Sequence, residues 1–315
     1  MSTTLSLVVP CYNEVEALPE TVKQLTRLLE ELIASKQIDA TSFLCFVDDG
    51  SVDGTWELIK KYSSTNGKVK GLKLSFNVGH QGALYAGIEH AILTSNCVVT
   101  IDADLQDDHT VIADMLKRYK EGFEVVFGVR DDRKTDSFFK RVSAQLFYKL
   151  MHFMGVKIVY NHADFRLLGQ KAVNSFLRFK ERNMFIRGII PLVGFKNTNV
   201  YYKRKERNTG ASKYPFSKML SFAWEGITSF SIIPLKLITS IGFIIFLLSI
   251  IMGFYSFYIV LFTDRAIQGW ASTIIPIYFL GGIQLLSIGI IGEYVGKIYK
   301  EVKNRPRYLI DETIR

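Results

Sequence analysis

Residues 98–106, Val98-Val99-Thr100-Ile101-Asp102-Ala103-Asp104-Leu105-Gln106, join an apolar run directly to a cluster of acidic and amide side chains. An apolar run of this length, beside segments of helical periodicity, predicts a buried strand. Ligands of open α/β sheets bind beyond the carboxyl ends of the strands. Carboxylate and amide oxygens suit Mg²⁺ or Mn²⁺, which add water and phosphate oxygens to their coordination. The stretch therefore predicts a metal–diphosphate site or, alternatively, a turn whose acidic residues cap the next helix.

Working outward, the first ~130 residues alternate predicted strands with predicted helices, the pattern of an α/β protein with a mainly parallel sheet. Helices are expected on both faces of such a sheet. The predicted strands are residues 5–9, 43–47, 69–74, 97–101 and 125–128, and the predicted helices are 16–34, 55–64, 81–94 and 111–122.

Polar loops follow the other strands of this predicted sheet and are expected to converge on the same edge. They read PCYNE at 10–14, DDGSVDGT at 48–55 and NVGHQG at 77–82. A sugar nucleotide needs such a set: acceptors for its base and ribose, a metal for its diphosphate, and glycines that permit close backbone approach. Neither a GxGxxG dinucleotide motif nor a GxxxxGK[ST] phosphate loop is present in the sequence.

The late part of the chain is strongly apolar. The chain has 315 residues, 48% of them hydrophobic, and a net charge of +9. No charged residue occurs in 237–262 or in 270–292. As helices these runs reach roughly 39 and 34 Å, enough for a ~30 Å hydrocarbon core. They predict two transmembrane helices, at about 235–262 and 270–292, with two core helices of a globular domain as the alternative.

The distribution of charge predicts a multi-pass plasma-membrane protein with both termini cytoplasmic. The linker 263–269 carries one charge of each sign, whereas basic residues crowd the other flanks of both runs. No cleavable signal precedes the first predicted strand. Three scattered cysteines, each in or beside an apolar run, predict small buried residues in a reducing compartment: Cys11, Cys45 and Cys97.

These patterns divide the chain into four parts. Residues 1–213 form the predicted α/β domain, including an amphipathic helix at about 138–154 that lies on the membrane surface or packs on the sheet. Residues 214–231 are interpreted as an interfacial helix, with packing on the α/β domain as its alternative. Residues 232–293 hold the two membrane helices, and 294–315 are predicted to be a cytoplasmic tail.

Three motifs, VVPCYNE (8–14), DDGSVDGT (48–55) and DADLQ (102–106), resemble those of family 2 glycosyltransferases, which have the Rossmann-like mixed sheet of the GT-A fold. DFRL (164–167), RNTGASKY (207–214) and the two apolar runs resemble a narrower group. This group is the polyprenyl-phosphate glycosyltransferases related to dolichol-phosphate mannose synthase and bactoprenol glucosyltransferase. The resemblance covers nearly the whole chain.

The resemblance implies roles on the donor side of the site. It assigns the metal, Mg²⁺ or Mn²⁺, to Asp104 and Gln106, with Asp102 on the nucleotide or on the metal's hydration shell. His80 is interpreted as a solvent-facing turn residue, with contact to phosphate or sugar as the alternative. The donor's remaining groups are expected to meet Pro10, Tyr12, Glu14, Asp48, Asp49 and Gln81. Within that set, Asp48 has the alternative of serving the fold.

The expected acceptor is a lipid phosphate, which carries about −1.5 to −2 charges at pH 7. It needs positioning more than deprotonation, and cationic side chains supply that. Asp164 is expected to act as a general base or to orient the acceptor, with a salt bridge to Arg166 or a loop cap as alternatives. The candidates for binding the phosphate are Arg130, Arg133, Arg207, Ser212 and Lys213, although a juxtamembrane basic cluster also anchors lipid headgroups.

The resemblance thus implies an inverting, metal-dependent transfer from UDP-glucose or UDP-GlcNAc, favoured over GDP-mannose, to undecaprenyl phosphate at the cytoplasmic face. The expected partners are the nucleotide sugar, that lipid, membrane lipids and further copies of the chain, up to a tetramer, without a nucleic acid. A processive polysaccharide synthase is disfavoured because the sequence has no QxxRW motif. Two further hypotheses are a non-catalytic membrane scaffold and a two-span transport subunit.

Overall fold

The computed structural model describes residues 3–131, 162–182, 185–203, 227–228, 231–262 and 270–314. The chain forms two compact units. The sheet unit comprises Met1–Lys149, Lys157–Pro215 and Arg305–Arg315, and the helical unit comprises Leu150–Val156 and Phe216–Asn304.

The sheet unit alternates strands and helices through its first 130 residues, as predicted. Its described strands are β1 (Leu5–Cys11), β2 (Phe43–Asp48), β3 (Val69–Leu74), β4 (Cys97–Thr100), β5 (Val125–Arg130), β6 (His162–Gly169), β7 (Asn197–Tyr202) and β8 (Ile310–Ile314). Its described helices are α1 (Leu18–Ala34), α2 (Thr55–Thr65), α3 (His80–Ala91), α4 (Ile112–Lys120), α5 (Gln170–Phe176) and α6 (Ile186–Ile189).

The described strands form one sheet in the order β7-β5-β6-β4-β1-β2-β3-β8. β1 pairs in parallel with β2 and β4, β2 with β3, and β5 with β7. β6 runs antiparallel between β4 and β5, so β5 keeps the direction of β4. The carboxyl ends of β1 to β5 and β7 therefore meet the amino end of β6 at one edge, where the ligand site of an α/β sheet is expected.

Both faces of the central strands are covered, which explains why their sequences are mostly apolar. On one face, α1 buries leucines at helical spacing, among them Leu25 and Leu29, in the same core as Leu7. On the other face, α3 approaches so closely that a Cβ on Gly87 would collide with a methyl of Val8. The predicted burial of the cysteines is confirmed: Cys11, Cys45 and Cys97 are free and buried.

β6, β7 and β8 were not predicted from the sequence, and β8 corrects the prediction of a tail over 294–315. The short, charged sequence of β8, Ile310-Asp311-Glu312-Thr313-Ile314, has a weak strand signal of its own. It becomes a strand by pairing antiparallel with β3 at the edge of the sheet. Side-chain contacts also fasten residues 307–314 to the rest of the sheet unit, among them Trp56–Glu312 at 2.8 Å, Lys73–Asp311 at 2.7 Å, Tyr308–Glu89 at 2.7 Å, and Arg307 over the ring of Tyr85 at 4.2 Å.

The helical unit contains two long described helices, α7 (Ile233–Phe262) and α8 (Trp270–Val302). By length and composition, one stretch of the described residues, Phe279–Val302 in α8, is a candidate membrane span. α8 extends ten residues beyond the predicted end at 292, because the charged residues that limit the apolar run do not end a helix. The predicted amphipathic helix (138–154) and almost all of the predicted interfacial helix (214–231) lie outside the described residues.

Candidate functional site

The loop after β1 is braced against the loop after β2. Asn13, at a positive φ of 53° that asparagine tolerates better than most residues, stands at the brace. Its N–H donates to Ser51 Oγ at 2.9 Å, and its Oδ1 accepts the N–H of Val52 at 2.9 Å. The brace orders the segment that contains three predicted donor ligands: buried Pro10, exposed Tyr12 and half-buried Glu14.

Asp49 ties the loop after β2 to the loop after β3. Its two carboxylate oxygens accept the N–H groups of Val78 at 2.7 Å and Gly79 at 3.0 Å. Burial raises the pKa of Asp49, although these backbone hydrogen bonds oppose the shift. Gly50 has a φ of +70°, and a Cβ there would lie 2.8 Å from the backbone nitrogen of Asn77. The three loops are therefore tied to one another, and Gly50 leaves no room for a larger residue where the second loop meets the third.

Asp48, predicted as a donor ligand, has no exposed surface. One of its oxygens accepts the N–H of Ser51 at 3.4 Å, and its other oxygen has no hydrogen-bond partner among the described residues. Burial raises the pKa of this carboxyl group. These features fit the alternative that Asp48 serves the fold.

The acidic turn after β4 exposes its carboxylates. Leu105 adopts a positive φ of 45°, and its N–H donates to the carbonyl of Asp102 at 3.3 Å. Gln106 is buried, and its N–H donates to Asp104 Oδ1 at 3.2 Å. Asp104 is exposed and the Asp102 side chain is 44% exposed. The turn thus offers two carboxylates to a ligand, although no group of three or more His, Cys, Asp or Glu residues suited to a metal occurs in the described parts of the chain.

Asp164 lies near the start of β6 and is surrounded by donors. It is 6% exposed and accepts a hydrogen bond from Arg166, the partner that the sequence offered as an alternative. Arg187, in α6, holds the same carboxylate in a bidentate arrangement at 2.9 and 3.1 Å, and Gln81 Nε2 lies 3.4 Å away. Burial opposes ionisation, but the charge of Arg187, the hydrogen bond from His80 and the charge of Arg166 hold the pKa of Asp164 well below its usual range. The carboxylate is therefore ionised and fully engaged.

His80 connects Asp164 to the acidic turn, although its side chain is 43% exposed, as expected of the solvent-facing residue that the sequence predicted. It is the first residue of α3, and its Nε2 lies 3.6 Å from both Asp102 and Asp164. Burial opposes protonation, yet the two carboxylates outweigh it and raise the pKa of His80. Burial and neighbouring negative charges raise the pKa of Asp102 to about 6, against the opposing effect of His80.

Arg130 stands at the end of β5 and joins a buried cluster with two residues that sequence reasoning missed. Tyr202 OH donates to Asp107 Oδ1 at 2.6 Å. Arg130 donates to the same Asp107 oxygen at 3.3 Å and to Tyr202 OH at 3.4 Å. Desolvation opposes the shift, but Asp107 raises the pKa of Arg130. The sequence offered one indication of Asp107, because this residue directly follows the DADLQ motif.

The structure brings together the predicted residues Gln81, Asp102, Asp164 and, at the same sheet edge, Arg130. Arg187 also belongs to this site but was missed, because it is far from Asp164 in the sequence and lies in no motif that was singled out. Four predicted acceptor residues lie outside the described residues: Arg133, Arg207, Ser212 and Lys213.

This fold and this site define a glycosyltransferase with a GT-A-like mixed α/β sheet. Residues 6–177, more than half of the chain, match the family described as Glycosyl transferase family 2, and the chain belongs to that family.

Three relatives show similarity along nearly the whole chain. An uncharacterized glycosyltransferase, YkoT, of Bacillus subtilis (strain 168) is 54% identical over 98% of this chain and 91% of the relative. An SfII prophage-derived bactoprenol glucosyl transferase of Shigella flexneri is 38% identical over 99% of this chain and 98% of the relative. A prophage bactoprenol glucosyl transferase homolog of Escherichia coli (strain K12) is 39% identical over 97% and 98%.

Proposed function

We propose that this glycosyltransferase moves a sugar from a nucleotide diphosphate sugar to undecaprenyl phosphate at the cytoplasmic face of the plasma membrane, with inversion at the anomeric carbon. UDP-glucose and UDP-GlcNAc are the favoured donors. Support for the lipid acceptor comes from the relatives named bactoprenol glucosyl transferase, which align with nearly all of this chain.

The observation that carries the proposal is the juxtaposition of Asp102, His80 and Asp164 at one edge of the sheet. His80 lies 3.6 Å from each carboxylate, and the Asp49-ordered loops meet the same edge. A donor bound by its base and ribose over these loops places its diphosphate near the acidic turn. Its anomeric carbon then faces Asp164 and the guanidinium groups around it.

A divalent cation fits this turn, because Asp104 and Asp102 present exposed hard-oxygen donors of the kind that Mg²⁺ and Mn²⁺ bind. Asp104 and Gln106 are the proposed ligands, with Asp102 beside them. When bound, such a cation neutralises negative charge on the departing nucleoside diphosphate. Few protein ligands are needed, since donor phosphates and water complete the coordination of these cations.

The chain's own residues then supply alignment. An oxygen of the lipid phosphate attacks the anomeric carbon, the bond from that carbon to the diphosphate oxygen breaks, and its electrons leave with the nucleoside diphosphate. The attacking oxygen is already deprotonated at neutral pH, so no proton is removed. Asp164, held ionised by Arg166 and Arg187, is a weak base. We therefore assign it to orienting the reactants, a contribution worth several kcal/mol.

The connectivity of the sheet supports an even number of membrane crossings. β7 ends at Tyr202 and β8 begins at Ile310, and both strands belong to the same sheet. Because one sheet lies on one side of a membrane, the chain between these strands crosses it an even number of times. With a candidate span in α8, α7 is the partner crossing that we propose.

The test is a transfer assay with the purified full chain, undecaprenyl phosphate in detergent, Mn²⁺ or Mg²⁺, and a panel of radiolabelled nucleotide sugars. We expect a labelled lipid from one UDP-sugar, lost on adding EDTA and restored by excess cation. Chemical analysis of the product's anomer tests inversion. A folded protein that forms no lipid product from any donor would contradict the proposal and favour the non-catalytic scaffold.

A further inference from the structure

Tyr202, Asp107 and Arg130 form a cluster that the proposed mechanism does not yet use. β5 and β7 pair in a register that places Arg130 opposite Tyr202. Asp107 reaches the same point from the loop after β4, where its Oδ1 accepts hydrogen bonds from Tyr202 OH at 2.6 Å and from Arg130 at 3.3 Å. Residues from three different segments therefore meet at one guanidinium group.

The cluster is rigid because its inner members are buried and held from several sides. Asp107 and Tyr202 are each 3% exposed. The ring of Tyr202 packs edge-to-face on Phe165 at 5.5 Å between centroids, and its carbonyl accepts the N–H of Asp131 at 2.9 Å. Burial and the neighbouring Asp107 raise the pKa of the Tyr202 hydroxyl, so it stays a donor at neutral pH.

Arg130 is the outer member of the cluster and retains binding capacity. Its side chain is 30% exposed. Its Nε donates to Tyr202 and its Nη2 to Asp107, whereas Nη1 donates to no group within the described residues. A guanidinium held on one side by a carboxylate and a hydroxyl keeps a fixed orientation for an anion on its other side.

The order of the strands indicates whether Arg130 faces the nucleotide or the acceptor. Arg130 ends β5, and β6 separates β5 from β4, which carries the acidic turn. At ~4.8 Å per strand, β5 stands about 10 Å from β4. The loops after β1, β2 and β3, which order the donor side, lie beyond β4 in the opposite direction. Arg130 therefore belongs to the acceptor side of Asp164 rather than to the nucleotide side.

We propose that Tyr202 and Asp107 are positioning residues that hold the Arg130 guanidinium for the phosphate group of the acceptor. This inference rests on the proposed function, since it takes the acceptor to be a lipid phosphate. The inference predicts that Tyr202 and Asp107 affect the binding of the acceptor, in addition to their packing in the fold.

The test measures KM for undecaprenyl phosphate, KM for the donor and kcat in the Tyr202→Phe variant of the full chain. Removing the hydroxyl leaves the ring against Phe165 and frees one side of Arg130. We expect KM for the lipid phosphate to rise roughly tenfold, the effect of one charge-assisted hydrogen bond, while KM for the donor stays unchanged. Tyr308→Phe is the matched control, because it removes a tyrosine–carboxylate hydrogen bond of 2.7 Å away from this site.

A double-mutant cycle with Arg130→Ala separates positioning from packing. If Tyr202 acts through Arg130, Tyr202→Phe adds no further rise in acceptor KM once the guanidinium is gone. An equal further rise in the Arg130→Ala background, or an unchanged KM in a folded Tyr202→Phe protein, would overturn the inference while leaving the proposed function intact. A rise in donor KM instead would assign Arg130 to the nucleotide. Absence of any lipid product from the wild-type chain would overturn both proposals.

Discussion

Asp164 balances an excess of positive charge in a buried place. Arg166, which is 1% exposed, and Arg187 both pair with the Asp164 carboxylate. The Nε2 of His80 lies 3.6 Å from the same carboxylate. Burial lowers the pKa of Arg166 to about 10, although Asp164 opposes the shift. Removing one partner from such a group leaves an uncompensated buried charge, which costs far more than the pair contributes.

The Asp164→Asn variant therefore tests whether the negative charge of Asp164 stabilises the folded protein. A carboxyl group whose folded pKa is depressed stabilises the protein above its unfolded pKa of about 3.9 and loses that contribution as the pH falls through the folded value. We expect the variant to be less stable by about 3–5 kcal/mol near neutral pH, with the difference narrowing below about pH 4. Thermal unfolding of both purified proteins across this pH range measures the difference.

Glu31→Gln is the control for that experiment, because Glu31 pairs with Arg27 on the surface, where both side chains are well exposed. Such a surface pair contributes little to the free energy of unfolding, so the control should be as stable as the wild type at every pH. A stability difference for Asp164→Asn that is independent of pH would show that the carboxylate's charge is not the cause.

Asp104→Asn tests the exposed carboxylate of the acidic turn. The amide keeps the acceptor for the Gln106 N–H but removes a negative charge from the proposed cation site. We expect metal-dependent transfer to fall by roughly 100-fold or more, because the charge on the leaving group is then poorly compensated. The unfolding temperature should stay near the wild-type value. The measurements are the transfer rate at saturating Mn²⁺ and thermal unfolding.

The matched control is Asp114→Asn, which makes the same change on an exposed residue of α4. It should retain wild-type transfer. Full activity of Asp104→Asn would remove Asp104 from the cation site.

At the scale of elements, two neighbouring residues of β8 make side-chain contacts that differ in their contribution to stability. Glu312 accepts the indole N–H of Trp56, which is 4% exposed, whereas Asp311 pairs with Lys73 at the surface. We predict that Glu312→Ala leaves a buried donor without its partner and costs roughly 1–3 kcal/mol of unfolding free energy. Denaturant titration, followed by tryptophan fluorescence, measures this cost.

Asp311→Ala is the control on the same strand, and its exposed ion pair should contribute less than about 1 kcal/mol. Equal effects of the two variants would mean that β8 is held by strand pairing alone, without a specific role for the Trp56 contact.

The elements that were predictable from the sequence are those whose signal is local. Strands β1, β2, β4 and β5 contain short apolar runs bounded by turn residues, and β3 sets buried apolar residues between two lysines. The helices between these strands begin and end near their predicted limits. β8 has no such signal, since it forms only against β3. The site divides in the same way: the acidic turn follows its strand in sequence, whereas Arg187 and Tyr202 reach Asp164 and Asp107 through tertiary structure alone.

At the scale of the whole molecule, the return of the chain to its first sheet constrains membrane topology. If the helical unit crosses a membrane as proposed, β1 and β8 must lie on the same side of it, because they belong to one sheet. Burial raises the pKa of the Cys45 thiol to about 12 and also raises those of Cys11 and Cys97. Since the thiolate is the reactive form, the native chain supplies an unreactive background for cysteine labelling.

Two single-cysteine additions therefore test the topology in intact cells. Gln268→Cys, in the linker predicted to lie outside, should react with a membrane-impermeant maleimide added to intact cells. Asn304→Cys, an exposed position between α8 and β8, should react only after the membrane is permeabilised. The wild-type chain should stay unlabelled in both conditions because its cysteines are buried. Labelling of Asn304→Cys but not of Gln268→Cys from outside would place β8 and its sheet outside, and it would contradict the proposed orientation. Labelling of neither variant before permeabilisation would instead mean that α7 and α8 do not expose their linker, so that neither helix crosses.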